Sequence, residues 1–151
     1  MNLLLDTNVY IDFLGRKEPF YPAAMRIAAA GYFGDCRLWV AAQSINDAFY
    51  VLSRYVDAAQ VQQAIGKSFQ IIAPVSLSLA DYEHAVRLSW PDMEDCLVAI
   101  AAEKVRADYL ITRDVKGFDR SMVPVIAPDQ WLALMRGRGI EYDEVPLRET
   151  S

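Results

Sequence analysis

Met1-Asn2-Leu3-Leu4-Leu5-Asp6-Thr7-Asn8 opens the chain and decides how the rest is read. Leu3, Leu4 and Leu5 form an unbroken apolar run, the pattern of a strand covered on both faces in a parallel sheet. The run stops at Asp6, and the small polar residues Thr7 and Asn8 can cap a helix that follows. A carboxylate at the carboxyl end of such a strand lies where open α/β sheets bind ligands. The same residues also suit an ordinary strand-to-helix turn, and on their own they favour that plainer account. The acids further along the chain decide between the two.

Outward from this stretch, strand patterns over 2–6, 36–41, 70–75, 107–112 and 123–127 alternate with helical ones. The first helix carries Val9, Ile11, Phe13 and Leu14 and ends at Gly15. Pro22 and Pro128 fit the first turns of helices over 22–33 and 128–136. Ser44 opens a third helix in a Ser-x-x-Asp pattern that resembles a capping box, and a fourth follows over 57–68. Pro74 puts the end of the third strand at an edge or leaving the sheet. Ser78 caps a fifth helix, and Trp90-Pro91-Asp92 breaks it and starts another over 92–106. This alternation predicts an α/β fold, a single domain over 1–136 with a mainly parallel central sheet of roughly five strands flanked by helices. Gly137-Arg138-Gly139 marks a hinge into an exposed C-terminal tail within 137–151.

Composition limits the function classes. With 151 residues, 54% of them hydrophobic, the chain buries the core of one domain. A net charge of −5 excludes a molecule that is basic all over, so nucleic acid would have to be met by a local cationic patch. Cys36 and Cys96 lack metal-ligand spacing, and the lone His84 excludes a histidine-rich site. Neither a signal-peptide pattern nor a membrane-length apolar run is present, so the expectation is a soluble cytoplasmic protein with no membrane partner.

Three acids fall where such a fold places a site. Asp6 ends the first strand, Asp114 follows the fourth, and Asp95 lies in the first turn of the helix that begins at Asp92. Asp47, with Asn46 beside it, lies early in the helix after the second strand, where a capping role from Ser44 and a metal role are equally open. Asp92 and Glu94 read as an N-cap and a charge that suits a helix N-terminus. Hard oxygen ligands converging in one cleft suit Mg²⁺ or Mn²⁺, and two such ions suit phosphodiester hydrolysis. Crowded carboxylates repel, and a cation removes that strain.

The same residues resemble a known family. Leu4-Leu5-Asp6-Thr7-Asn8 is similar to the opening motif of PIN domains. Residues Asp92-Met93-Glu94-Asp95-Cys96-Leu97-Val98-Ala99 and Ala107-Asp108-Tyr109-Leu110-Ile111-Thr112-Arg113-Asp114 are similar to that domain's second half. Val123-Pro124-Val125-Ile126-Ala127-Pro128 resembles the end of small bacterial PIN proteins of the VapC toxin type. The resemblance, over roughly 2–136, implies a metal-dependent endoribonuclease using Mg²⁺ or Mn²⁺. It further implies a homodimer that serves as the toxin of a toxin–antitoxin pair. Asp6, Asp95 and Asp114 match family acidic positions, Thr112 the hydroxyl residue before the last of them, and Asn8 the polar residue near the first. Two departures stand out. The family's usual Glu after the second strand is replaced by the candidates Asn46 and Asp47, and the Asp many members place before a Phe is Gly117 here.

Substrate and partner signals are weaker. Arg113, Lys116 and Arg120 cluster after the fourth strand and could meet RNA phosphates, which would position a strand without reading its sequence. The plainer account is a solvated loop. Ala23–Ala30 and the helix bearing Phe49, Tyr50, Leu52 and Tyr55 could supply a dimer face or a groove for an antitoxin helix, or simply pack internally. The leading expectation is therefore a ribonuclease in which Asp6, Asp95 and Asp114 hold metal and Asp47 assists. The alternative is a PIN-like domain weakened in catalysis that binds nucleic acid or protein. A phosphatase-like hydrolase with Asp6 as covalent nucleophile ranks third, because the second acid it needs is Asn8.

Overall fold

A computed structural model of the chain describes residues 1–143, and the acidic end of the tail lies outside them. The leucine run forms β1 (Asn2–Leu5), with Leu3, Leu4 and Leu5 buried. Side chains alternate across a strand, so Leu3 and Leu5 enter one hydrophobic cluster and Leu4 another on the opposite face. β1 pairs in parallel with β2 (Arg37–Ala41) on one side and β4 (Tyr109–Ile111) on the other. Outside these lie β3 (Ile72–Val75) and β5 (Val125–Ile126), giving the order β3-β2-β1-β4-β5. The α/β architecture is as expected, and Pro74 lies in the edge strand β3.

Seven α-helices flank the sheet among the described residues. On the Leu3/Leu5 face pack α1 (Thr7–Leu14), α2 (Tyr21–Tyr32) and α7 (Pro128–Gly137), with α3 (Ala42–Leu52) and α4 (Ala58–Ser68) against α1. On the Leu4 face lies α6 (Met93–Lys104), with α5 (Leu79–Leu88) packed against it. No helix among the described residues is long and apolar enough to cross a membrane.

Several local expectations change. The N-cap of α1 is Asp6 itself, whose carboxylate accepts from the Thr7 N–H at 2.7 Å. The third helix starts at Ala42, not Ser44. Ser44 is buried inside it with Oγ 2.7 Å from Thr7 Oγ1, so no capping box ties it to Asp47. The Ser78 cap forms as expected, closed by Asp81. Ala24, Ala28, Ala29 and Ala30 are buried in the main core, so these alanines pack internally and do not form a dimer face.

In the described part of the tail, residues 138–141 and 143 are exposed and Tyr142 alone is buried. Gly139, at φ +81°, takes the left-handed turn that lets the chain double back after α7. Tyr142 then stacks on Trp131 with ring centroids 6.0 Å apart, and its hydroxyl donates to Asp35 Oδ2 at 2.8 Å.

Candidate active site

The strand order supplies the cleft. From β1 the chain works outward through β2 to β3, then returns to β4 on the other side of β1. Such a reversal leaves a crevice outside the carboxyl ends of the two central strands. Asp6 leaves β1 at that end, and Thr112 and Asp114 follow β4 there. The first turn of α6 brings Glu94 and Asp95, and Asp92 is its N-cap, accepting from the Asp95 N–H at 3.1 Å.

Thr112 organises the centre of this group. Fully buried, its hydroxyl donates to Asp6 Oδ2 at 2.8 Å. It accepts from the Asp114 N–H at 3.0 Å and from Asn8 Nδ2 at 3.4 Å. One donor and two lone pairs are thus all used. Asn8 completes the frame by accepting from the Arg113 N–H at 3.4 Å. Beyond Asp114, one short turn of 3₁₀ helix (Val115–Phe118) begins, and the Gly117 N–H donates to Asp114 Oδ1 at 3.3 Å.

The electrostatics match the crowding. Asp95 titrates at about 6, raised first by burial and then by the charges of Asp92, Asp6 and Asp114. Glu94 is pushed up to about 7, chiefly by its hydrogen bond with Asp47, then by burial and the neighbouring acids. Burial also raises Asp6, against the opposing hydrogen bonds from Thr112 and Thr7, and Asp114 and Asp92 add to the rise. Among the described residues none of these acids is paired with a lysine or arginine. Neither do any three of their side chains already stand in a closed metal-binding arrangement. The carboxylates line the cleft as an uncompensated negative field.

Residues 2–116 match the PIN domain family. The chain belongs to that family. PIN domains are typically metal-dependent nucleases, and those nucleases generally use Mg²⁺ or Mn²⁺. The fold resembles VapBC2 from Rickettsia felis, solved with a DNA fragment from the promoter, at a TM-score of 0.63 and 16% identity over 84% of this chain and 98% of that one. VapBC-1 from nontypeable Haemophilus influenzae superposes with a TM-score of 0.62 at 20% identity, over 85% and 99% of the two chains. VapC20 from Mycobacterium tuberculosis, a sarcin-ricin loop cleaving toxin, gives 0.58 at 9% identity, over 72% and 86%. At such identities the likeness is one of fold. A comparison with curated proteins returns no match.

Within this PIN domain the predicted residues are distributed unevenly. Asp6, Asn8, Asp95, Thr112 and Asp114 meet at the cleft, and Asp47 reaches it through Glu94. Asn46 is exposed on α3 and makes no side-chain hydrogen bond within the described residues. Arg113 turns inward: Nε and Nη2 donate to Asp12 Oδ2 and Oδ1 at 2.7 and 3.3 Å, and its guanidinium lies 3.8 Å over the Phe20 ring. Arg120 donates to the Leu88 and Ser89 carbonyls at the end of α5. Of the three cations only Lys116 is exposed without a partner among the described residues. Glu94 and Asp12 carry more than the sequence reading gave them. Glu94 immediately precedes Asp95, a usable signal. Asp12 had none, because an acid on a short amphipathic helix looks solvated.

Proposed function

We propose that this PIN domain is a metal-dependent endoribonuclease, the toxin of a toxin–antitoxin pair. The observation that carries the proposal is the set of acids at the ends of β1, β4 and α6, among which Asp6, Glu94 and Asp95 are raised in pKa by burial and neighbouring acids, and which no lysine or arginine pairs with among the described residues. An all-oxygen donor set of this kind fits Mg²⁺ or Mn²⁺. Asp6, Asp95 and Asp114 would hold the ion. When bound, it supplies Lewis-acid polarisation of the phosphate and a more acidic water.

The remaining work falls to the chain. Thr112 and Asn8 fix the directions of Asp6 and Asp114. The Glu94 carboxyl, hydrogen-bonded to Asp47, holds a proton near neutral pH and can exchange it with solvent in the cleft. Lys116, exposed two positions after Asp114, would meet a substrate phosphate. Partner binding is supported by an apolar groove of about 700 Å³ between α3 and α4, lined by Ile45, Phe49, Tyr50, Ile65 and Phe69. It suits an amphipathic antitoxin helix, and homodimerisation accompanies that reading of the fold.

The decisive test is Asp6→Asn. Cleavage of RNA in Mn²⁺ is expected to fall by about a hundredfold or more, with the circular dichroism spectrum unchanged. Equal cleavage by both proteins would reject the assignment. The departures at Gly117 and at Asn46/Asp47 favour a second reading, a PIN domain that binds without cleaving. Calorimetric titration separates the two, because a module of that kind takes up no Mn²⁺ at millimolar concentration.

A further inference from the structure

Gly117 differs from the glycines that the backbone requires. Gly34 and Gly139 have positive φ, whereas Gly117 does not and lies in a short 3₁₀ helix that other residues could adopt. Its constraint is spatial. A Cβ added there would lie 2.6 Å from Asp114 Oδ2 and 3.1 Å from Asp95 Oδ2. Two acids from different elements, the loop after β4 and the first turn of α6, therefore approach each other across the very space a side chain would fill. The Gly117 N–H meanwhile holds the other oxygen of Asp114 at 3.3 Å.

From this geometry we propose that Gly117 is a positioning residue, whose missing side chain keeps open the space where Asp95 and Asp114 converge on a divalent cation. The inference rests on the metal-dependent reading above and deepens it. In this chain the position before Phe118 is then not a lost ligand. A side chain there collides with two ligands already present. The atom it meets first is the far end of Asp114, which can rotate away, so the collision is relieved by displacing a ligand and not by unfolding the domain. Rotation also gives up the hydrogen bond from the Gly117 N–H.

The experiment is calorimetric titration of the full chain with Mn²⁺, using wild type, Gly117→Ala and Gly117→Asp, with melting of each cation-free protein alongside. The expected result is Mn²⁺ binding about tenfold weaker in Gly117→Ala, a loss of the size that follows disturbance of ligand orientation, with the cation-free melting temperature unchanged. Gly117→Asp is expected to bind more weakly than wild type despite its added carboxylate. Unchanged affinity in Gly117→Ala, or tighter binding in Gly117→Asp, would overturn the inference, as would a large fall in cation-free melting temperature for both variants. Absence of Mn²⁺ binding by wild type would instead remove the metal-dependent reading, and this inference with it.

Discussion

Thr112 shows how much of the site depends on a residue that holds no charge. Its hydroxyl joins Asp6, Asn8 and the backbone of Asp114, so it sets the angle between two acids carried by different strands. Thr112→Val keeps the volume and β-branching but removes all three hydrogen bonds. Weakening of Mn²⁺ affinity by about 10–100-fold is expected, with Thr112→Ser recovering most of it, as measured by calorimetry. Equal affinity for Val and Thr would show that Asp6 and Asp114 orient themselves. The sequence made Thr112 visible as a hydroxyl before an acid, but its three-way role depends on Asn8, more than a hundred residues distant, and no local pattern encodes that.

At the level of elements, the loop after β4 is fastened to α1 by the Asp12–Arg113 pair. Asp12 is buried, and Arg113 meets it with two nitrogens while covering Phe20. Arg113→Ala would strand a buried carboxylate, at a cost of about 3 kcal/mol. For a chain of this size that corresponds to a fall of roughly 6–12 °C in melting temperature, measurable by differential scanning calorimetry. A change below 2 °C would show that Asp12 finds other partners. The elements themselves were largely legible. Leu3-Leu4-Leu5 announced a strand covered on both faces, Gly15 ended α1, and Ser78 opened α5. Ser44 misled because its hydroxyl answers Thr7 across two helices, a tertiary contact that overrides the local capping pattern. Arg113 and Arg120 misled for a related reason. A cation in a loop looks free until the surrounding helices supply its acceptors.

For the molecule as a whole, the acids raised in the cleft set a pH dependence of stability. Glu94 near 7 and Asp95 near 6 lie above their ordinary values of 4.5 and 3.8, and Asp6 is raised too. Over that interval the folded chain binds more protons than the unfolded one, so stability falls as pH rises from about 4 to 7. Asp81, lowered by Lys104, works in the opposite sense, but only at pH values near or below 3.8. In chelator, the melting temperature should decline across that window. Saturating Mn²⁺ should restore it increasingly toward pH 7, where the ligands are ionised. A flat profile in chelator would contradict the crowding. The central position of β1 carries a consequence for synthesis. Asp6 is made 106 positions before Thr112, the residue whose hydroxyl holds its carboxylate. A chain released early would carry the first acid of the cleft without Asp95, Asp114 and the hydroxyl that orients it, so the acids come together only once the whole sheet has been made.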